Sequence, residues 1–478
     1  MLYWGREDNM LKSVSGLEFR EYQKDGFEFI YDWMAQSKEI AGTGLFASVG
    51  AGKTAISIHA IERLLAEGIS KHILILGPVR VIYDTWPKEF ADWSPKLKYK
   101  IIHGQRKLDS QRAPIELQSI DSVHKLVEYA GRWDTLIVDE SRNFAAWTRR
   151  RMKSLRKILP TIKRRCILTG TPTPESYTDL HGQMFITDDG EALGKTVTYF
   201  RTQFCERGGW MGRQWKFRKE CEQAILGKVA RRVMRIDATT HPDFPKLIEN
   251  DIWVPMPANI KAEYNRLKRE LAVELDREDG PINLMVGHVG ALYQKLKQFA
   301  CGQVYVGSEE EGTRRSEIVH GEKMGALDDL ISELYEKPMI IIYQYKHDKD
   351  RIVAHLKGRK VGVIDSKTGA ADATKIITKW NKRQLDFLIS HVKCLGEGLN
   401  LQFGGADMAL YGLPDACNLY LQVRGRLWRP GQVEGEARIH RFMMRDTVEA
   451  LQLDRLNGKI KGQDDFLDKL KKHVRVKC

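Results

Sequence analysis

Cysteines are few in this sequence, and their spacing follows no recognisable pattern. The seven cysteines are scattered over 478 residues without a C-x-x-C pair, so we expect neither a zinc ribbon nor a disulfide-stapled fold. No apolar run approaches the roughly 18 residues that a membrane-spanning helix needs. The N-terminal residues also lack the charged and apolar stretches of a secretory signal. We therefore expect a protein of a reducing cytoplasm, without membrane contact.

Glycine and proline are not in excess either. The 40 glycines and 15 prolines, with 42% hydrophobic and 29% charged residues, exclude collagen-like and disordered chains. The length is enough for roughly two to four domains of ordinary size. The composition is thus that of a globular protein with more than one hydrophobic core.

Acidic residues are outnumbered by basic ones. The chain has 77 lysines and arginines against 63 aspartates and glutamates, a formal net charge of +14. A surplus of this size suggests a polyanionic partner, most often a nucleic acid. On charge alone, a basic protein without such a partner is an equal alternative.

Two regions, residues 44–168 and 338–413, alternate short apolar runs with amphipathic helices, which is the pattern of a parallel α/β sheet. A mostly helical stretch separates them, and the chain ends in a helical tail. Two such lobes leave a cleft between them, where ligands commonly bind. The predicted strands are 45–47, 72–76, 135–138, 166–168, 339–343, 361–364, 387–390 and 408–410. The predicted helices are 54–67, 260–275, 288–299, 348–356, 371–381 and 447–474.

A glycine-rich loop lies between the first predicted strand and the first predicted helix of this pattern. Gly50 and Gly52 allow the backbone to curl so that its N–H groups face a phosphate at the helix N-terminus. Lys53 would neutralise the β- and γ-phosphates, and the Thr54 hydroxyl would ligate Mg²⁺. The sequence therefore predicts ATP and Mg²⁺ as cofactors. The alternative is a glycine turn followed by a surface lysine.

An acidic pair follows the predicted strand at 135–138. Asp139 would hold Mg²⁺ through water, and Glu140 would orient and deprotonate the attacking water. By itself such a pair could be a helix N-cap with a charged neighbour. Its place downstream of a phosphate loop favours nucleotide hydrolysis instead.

These motifs, in this order, resemble those of the Swi/Snf-like ATPases of helicase superfamily 2, and the resemblance covers almost the whole chain. Residues 19–23 look like the glutamine motif of the family, which assigns adenine recognition to Gln23. Residues 77–90 contain a stretch similar to motif Ia, 139–140 correspond to motif II, 169–172 to motif III and 341–344 to motif IV. Near the C-terminus, 396–401 resemble motif V and 422–432 resemble motif VI.

The resemblance implies an α/β fold of two tandem RecA-like parallel-sheet lobes, with a helical insertion between them and an ATP cleft at their interface. Lobe 1 would take residues 1–245 and the helical connector 246–320. Lobe 2, with the C-terminal helical tail, would take 321–478.

Motifs V and VI add candidate residues to the ATP site. The resemblance assigns Arg426 and Arg429 as arginine fingers that stabilise charge on the γ-phosphoryl group. The two arginines are three positions apart, so on a helix they would share a face. Gly398, Asn400 and Gln422 are further nucleotide-binding candidates, with Asn400 near the ribose.

Nucleic-acid contacts are also expected from the resemblance, and they would go to backbone phosphates without sequence preference. A basic stretch at 149–165 is either a phosphate-binding helix face or a solvated one. An insert at 210–219 interleaves aromatic and basic residues. Its rings are either a wedge that is exposed at a junction of nucleic-acid strands or the buried face of a β-ribbon. The candidate contact residues are Arg80, Lys88, Thr169, Gln344, Ser390 and Lys393.

The function that we predict is a DNA-stimulated ATPase that translocates on double-stranded or branched DNA as a monomer. The alternative is a strand-separating or branch-migration helicase at junctions, which needs a wedge. An RNA helicase is disfavoured by motif VI, and a non-hydrolysing scaffold by the intact ATP-site residues. Arg142 replaces the histidine usual in motif II, and a Trp-Asn-Pro before motif VI is absent. Both departures are typical of the compact branch in bacterial or phage-infected cytoplasm.

Overall fold

Two parallel β-sheets organise the chain, one in each of two compact units. A computed structural model describes residues 12–105, 107–108, 110–208, 214–276, 282–306, 315–395 and 399–475. Unit 1 contains the residues up to His241 together with those from Lys459 onward, and unit 2 contains Pro242–Gly458. The predicted α/β class with two parallel sheets is confirmed.

Unit 1 contains a seven-stranded parallel sheet with the order β3-β4-β2-β5-β6-β1-β9. Its strands are β1 (Ala41–Ala47), β2 (Ile73–Gly77), β3 (Tyr99–Ile101), β4 (Ile115–Ser119), β5 (Thr135–Asp139), β6 (Arg164–Thr169) and β9 (Val233–Ile236), and the hairpin β7 (Cys205–Gly208)–β8 (Gln214–Phe217) lies outside it. Its helices are α1 (Glu21–Met34), α2 (Lys53–Ala66), α3 (Trp86–Trp93), α4 (Arg150–Ile158), α5 (Leu180–Asp188), α6 (Val197–Phe204) and α7 (Glu222–Val229).

Unit 2 contains a six-stranded parallel sheet with the order β10-β17-β16-β13-β15-β14. Its strands are β10 (Lys246–Val254), β13 (Met339–Tyr343), β14 (Val361–Ile364), β15 (Phe387–His391), β16 (Asp407–Leu410) and β17 (Glu436–Met444), with a separate hairpin of β11 (Gln303–Val306) and β12 (Arg315–Ile318). Its helices are α8 (Ala258–Asp276), α9 (Ile282–Cys301), α10 (Glu322–Glu333), α11 (Lys346–His355), α12 (Ala370–Asn381), α13 (Cys417–Leu427) and the first part of α14 (Val448–Arg475).

The inner strands of both sheets are buried along their whole length and mostly apolar. Every residue of β1, β2 and β5 is buried, as is every residue of β13. Strands of parallel sheets are covered on both faces, so they consist of continuous rather than alternating apolar residues. The eight predicted strands lie within, or differ by one residue from, strands of the structure, and each predicted helix overlaps a helix.

The structure departs from the predicted division of the chain at two places, the connector at residues 246–320 and the C-terminal tail. Residues 246–320 are not a purely helical connector, because they begin with β10, which pairs with β17 along nine residues. The C-terminal tail does not stay with lobe 2: the residues of α14 from Lys459 onward belong to unit 1. There Phe466, Leu467 and Leu470 are buried in the core of the first sheet.

No helix in the described parts of the chain combines the length and the apolarity that a membrane span requires.

Candidate nucleotide-hydrolysis site

The phosphate loop connects β1 to α2 at the carboxyl edge of the unit 1 sheet. Gly50 and Gly52 both have φ of +79°, a left-handed conformation that glycine adopts without steric cost. The loop is fixed to the end of β9, where Ser48 N donates to Ile236 O at 3.1 Å and Ala238 N donates to Ser48 Oγ at 2.9 Å. The predicted turn of backbone at a helix N-terminus is therefore present.

Lys53, the first residue of α2, lies against motif III. Its Nζ donates to Ala47 O at 2.9 Å and to Ser48 O at 3.3 Å. A Cβ added at Gly170 would lie 3.2 Å from Ala47 O and 3.6 Å from Lys53 Nζ. Motif III thus lies close to the phosphate loop, and a side chain at Gly170 would require Ala47 O to move by a few tenths of an ångström.

Gln23, the predicted adenine-reading residue, is buried against the same loop. Its Nε2 donates to Ala51 O at 3.2 Å, and its Oε1 accepts from Arg20 N at 2.9 Å. A Cβ at Gly52 would lie only 2.1 Å from Gln23 Nε2. The amide therefore supports the phosphate loop in this structure, and adenine recognition by Gln23 stays a prediction.

We expect Gly52→Ala to weaken ATP binding by about tenfold, or ~1.4 kcal/mol. The added methyl group would displace the amide of Gln23 and strain the loop at φ +79°. Gly68→Ala is the matched control, because Gly68 has φ of +70° with no atom within 4 Å of the added Cβ. Titration of both variants with a fluorescent ATP analogue checks this: equal losses in the two variants would mean that backbone strain alone is responsible.

The acidic pair follows β5 directly. Asp139 is buried, and its Oδ1 accepts from Glu140 N at 3.0 Å. Burial and the charge of Glu140 raise the pKa of Asp139 to about 6, while Lys53 and the Trp86 N–H lower it. The effect of Lys53 on this pKa indicates that the phosphate loop and the acidic pair form one electrostatic site.

Glu140 has a backbone conformation that is unusual for a residue with a side chain. Its φ of 54° lies in the left-handed region, which costs ~1–2 kcal/mol for a non-glycine residue. Asn143 holds this turn, because its backbone N and its Nδ2 both donate to Glu140 O at 3.0 Å. Arg142, which replaces the family histidine, has its Nε 4.0 Å from Glu140 Oε2.

Two residues without a predicted role, Trp86 and Gln183, connect the motifs. The Nε1 of Trp86, a fully buried residue, donates to Asp139 Oδ2 at 3.1 Å. Gln183 on α5 accepts from Ser141 Oγ at 2.9 Å and donates to Pro172 O at 2.8 Å, which joins motif II to motif III. The only sequence signal for Trp86 was its place within the motif Ia stretch, and Gln183 had none.

In unit 2, the two predicted arginine fingers converge on one backbone carbonyl. The prediction that they share a helical face is wrong, because α13 ends at Leu427 and Arg429 lies in the turn beyond it. Nevertheless, Arg426 Nη1 donates to Leu399 O at 3.3 Å, and Arg429 Nη1 donates to the same oxygen at 3.2 Å. Arg429 also bonds to Asn400 Oδ1.

The other residues of unit 2 that were predicted to bind the nucleotide are Asn400, Gln422 and Gly398. Asn400 is exposed and bound to Arg429, and its backbone O accepts from Asn381 Nδ2 at 2.9 Å. Gln422 is half-buried on α13. Gly398 lies outside the described residues. The ribose contact of Asn400 therefore remains a prediction.

The six candidate nucleic-acid residues differ in exposure. Lys88 and Lys393 are exposed, and Arg80 and Gln344 are half-buried. Thr169 and Ser390 have no exposed surface. Thr169 Oγ1 accepts from Thr171 N, and Ser390 Oγ donates to Ile364 O at 3.0 Å. Both hydroxyls are therefore enclosed and already hydrogen-bonded, and a nucleic-acid contact by either residue stays a prediction.

The basic stretch forms α4 with Met152 and Leu155 on its buried side, as predicted. Not all of its charges face outward. Arg165 is 1% exposed and forms an ion pair with Asp189 at 2.6 Å. Arg156 lies over the ring of Trp147, 4.0 Å from its centroid.

The aromatic insert favours the buried-ribbon alternative in the part that is described. Phe217 on β8 stacks on Tyr177 with a ring distance of 4.4 Å, and Trp215 packs against the unit 1 core. Trp210 and Arg213 lie outside the described residues. The rings of Trp215 and Phe217 are thus occupied by packing rather than presented as a wedge.

Comparison with known proteins agrees with this set of motifs. A family model described as SNF2-related domain matches residues 22–300, and one described as Helicase conserved C-terminal domain matches residues 322–431. Protein p41 of Acyrthosiphon pisum secondary endosymbiont phage 1 is 30% identical in an alignment of 459 positions that covers 91% of this chain and 96% of that protein.

More distant similarities extend to cellular proteins. YwqA of Bacillus subtilis, provisionally named an ATP-dependent helicase/translocase, is 23% identical over 90% of this chain and 46% of its own length. Among solved structures, the Sulfolobus solfataricus SWI2/SNF2 ATPase core in complex with dsDNA has 20% identity and a TM-score of 0.43, covering 98% of this chain and 95% of that one. The chain therefore spans nearly all of the phage relative and less than half of the bacterial one.

The phosphate loop, the acidic pair and motif III meet at one sheet edge, and the SNF2-related model matches more than half of the chain. This chain is accordingly a member of the Swi/Snf-like ATPases of helicase superfamily 2, an ATP-hydrolysing motor built from tandem RecA-like lobes.

Proposed function

We propose that this chain is a DNA-stimulated ATPase that translocates along double-stranded or branched DNA without strand separation. The observation that carries the proposal is the contact of motif III with the phosphate loop, where Gly170 faces Ala47 O and Lys53 Nζ. Hydrolysis or release of the bound phosphates would therefore displace motif III, which the family resemblance links to DNA binding.

The residues at this edge fit Mg²⁺ as the companion of ATP. Thr54 lies in the first turn of α2, and Asp139 offers a carboxylate whose ionised form is disfavoured by burial. A divalent cation offsets such a cost, because it pairs with the charged form. When bound, the ion would neutralise charge on the β- and γ-phosphates.

The chain's own residues would then perform the hydrolysis. Lys53 would leave its loop carbonyls for the phosphate oxygens, and the N–H groups around Gly50 and Gly52 would hold them. Glu140 would orient the attacking water and accept its proton. Arg426 and Arg429 would stabilise the charge that develops on the transferred group.

The DNA part of the proposal depends on charge. The net charge of +14 and the exposed Lys88 and Lys393 favour contacts to backbone phosphates, which do not depend on sequence. The names of several relatives, such as "DNA excision repair protein ERCC-6-like" from mouse, refer to DNA. That protein matches over only 37% of this chain and 15% of its own length, so most of it has no counterpart in this chain.

We expect duplex or four-way-junction DNA to raise ATP turnover more than RNA does, and the stimulation to fall steeply with salt. If six or more phosphates are bound, affinity should drop about 10³-fold between 50 and 200 mM salt, because counterions are released. The measurement is the ATPase rate with no nucleic acid, single-stranded DNA, duplex DNA, junction and RNA side by side. Preference for RNA with flat salt dependence would contradict the proposal.

Translocation can be separated from unwinding with two further substrates. A translocase should displace the third strand of a triplex and leave a simple fork paired. Robust unwinding of the fork would replace the translocase with a strand-separating helicase, and resolution of a four-way junction would indicate branch migration. Since Trp215 and Phe217 are packed, neither ring is expected to act as the wedge.

A further inference from the structure

A buried tryptophan of motif Ia lies on the carboxylate of motif II. Trp86 Nε1 donates to Asp139 Oδ2 at 3.1 Å, while Glu140 N donates to the other oxygen, Oδ1, at 3.0 Å. Each carboxylate oxygen therefore has one donor from a different part of the chain. Together the two bonds fix the plane of the carboxylate.

The topology of the sheet explains how this contact arises. Strands β2 and β5 are parallel neighbours with Leu76 paired to Val138, so the next residues, Gly77 and Asp139, end at the same edge. A Cβ at Gly77 would lie 3.7 Å from Asp139 Cβ. The chain after β2 turns over this edge and begins α3 at Trp86, which directs the indole at the neighbouring strand end.

Helix α3 has two different sides. Trp86 and Phe90, one turn apart, are buried, while Lys88 between them is exposed. Lys88 is a candidate contact for a nucleic-acid phosphate. The short helix thus has a candidate contact with the polyanion on one side and a hydrogen bond to Asp139 on the other.

The indole is suited to transmit small displacements. It is rigid and has a single N–H donor, so a shift of α3 moves the hydrogen bond instead of being absorbed by side-chain rotation. A carboxylate that loses its second donor can rotate about its Cβ–Cγ bond, because the torsion angle about this bond has only a broad preference. Groups that orient a metal-binding carboxylate commonly affect metal affinity about 10–100-fold.

We propose that Trp86 is a positioning residue that holds Asp139 for Mg²⁺ and links this carboxylate to the nucleic-acid side of α3. The proposal rests on the proposed function, since Asp139 as an Mg²⁺ ligand and Lys88 as a DNA contact both belong to it. The residue binds neither ATP nor DNA itself; it acts through Asp139.

Trp86→Phe tests the proposal, because it removes the N–H and keeps most of the ring. The matched control is Trp133→Phe in the same unit: Trp133 is 2% exposed, and its Nε1 donates to the buried carboxylate of Glu116 at 2.8 Å. Both variants lose one buried indole–carboxylate bond. Only Trp86 is bonded to the acidic pair.

The first readout is binding of a fluorescent ADP analogue with and without Mg²⁺, which needs no turnover. In Trp86→Phe we expect unchanged affinity without the ion and an Mg²⁺-dependent gain reduced about tenfold or more. In Trp133→Phe both affinities should match the unchanged protein. An Mg²⁺-dependent gain that is normal in Trp86→Phe, or reduced equally in the two variants, would overturn the positioning role.

The second readout is the ATPase rate against Mg²⁺ concentration, with and without duplex DNA. Trp86→Phe should need more Mg²⁺ for half-maximal turnover and should lose most of the DNA stimulation, while Trp133→Phe keeps both. If the unchanged protein is not stimulated by DNA, the proposed function fails. The nucleotide-binding readout then still decides the role of Trp86 towards Asp139.

A smaller change at position 86 tests the same hydrogen bond in case Trp86→Phe does not fold. If Trp86→Phe does not fold, benzothienylalanine incorporated at position 86 replaces the N–H by sulfur in a ring of nearly the same shape. The same reduction of the Mg²⁺-dependent gain is expected. Normal Mg²⁺ dependence in that protein would show that Trp86 serves packing alone.

Discussion

Glu140→Gln is expected to stop ATP turnover almost completely while nucleotide binding stays close to that of the unchanged protein. The amide keeps the size of the side chain and the left-handed turn at φ 54°, but it cannot accept a proton from water. Loss of a general base costs about 10²–10⁴-fold in rate. Turnover and affinity for a fluorescent ATP analogue should be measured separately.

Lys53→Ala is the contrasting variant for this prediction. It removes the ammonium group that lies at Ala47 O and Ser48 O, so both hydrolysis and nucleotide affinity should fall. If Glu140→Gln hydrolyses ATP at a rate near that of the unchanged protein, Glu140 is not the base. If Lys53→Ala binds normally, the loop is not the phosphate site.

Arg426→Ala and Arg429→Ala should each lower DNA-stimulated turnover by several orders of magnitude, within the range of about 10³–10⁵ known for arginine fingers. Both guanidinium groups bond to Leu399 O, so they are held as a pair. The measurement is kcat at saturating ATP with and without duplex DNA.

Arg424→Ala is the matched control on α13, the helix that also contains Arg426. Arg424 is half-buried, and its Nη1 lies 3.5 Å from Glu249 Oε1, with its guanidinium over the Trp428 ring. Like the two finger variants, Arg424→Ala removes one positive charge. It shows whether the loss of an arginine from α13 lowers turnover by disturbing the helix. Near-normal turnover in both finger variants would remove them from the reaction, and an equal loss in Arg424→Ala would point to damage of the helix.

The sequence predicted strands that contain a continuous apolar run, such as β2 and β13, and missed β4 and β17, in which polar residues with distant partners interrupt the pattern. Strand β4 contains Glu116, which is buried because Arg132 and Trp133 bond to its carboxylate. In β17, Arg438 and His440 are both bonded to Asp407. A hydropathy pattern treats such residues as exposed, since their partners are known only after folding.

The candidate site could also be predicted from the sequence only where its residues are close together in the chain. Phosphate-loop and acidic residues follow from local spacing, and in the structure the charge of Lys53 lowers the pKa of Asp139. The bond between Trp86 and Asp139 spans 53 positions, and no spacing rule predicts which carboxylate a buried indole will meet. Burial of Thr169 and Ser390 was missed for a related reason, because both faces of a parallel sheet are covered by elements that a local sequence pattern does not reveal.

The course of α14 has a consequence for protein synthesis. Its last turns complete the core of unit 1, where Lys459 and Glu175 form an ion pair 284 positions apart in sequence, and Phe466 meets the ring of Tyr177. Domains usually fold in the order in which the ribosome releases them. Here the core of the first unit to emerge lacks the apolar residues of α14 until all of unit 2 has been made. The nascent chain therefore carries an uncovered apolar patch while unit 2 is being made, and we expect a holdase chaperone that shields this patch to raise the yield of folded protein.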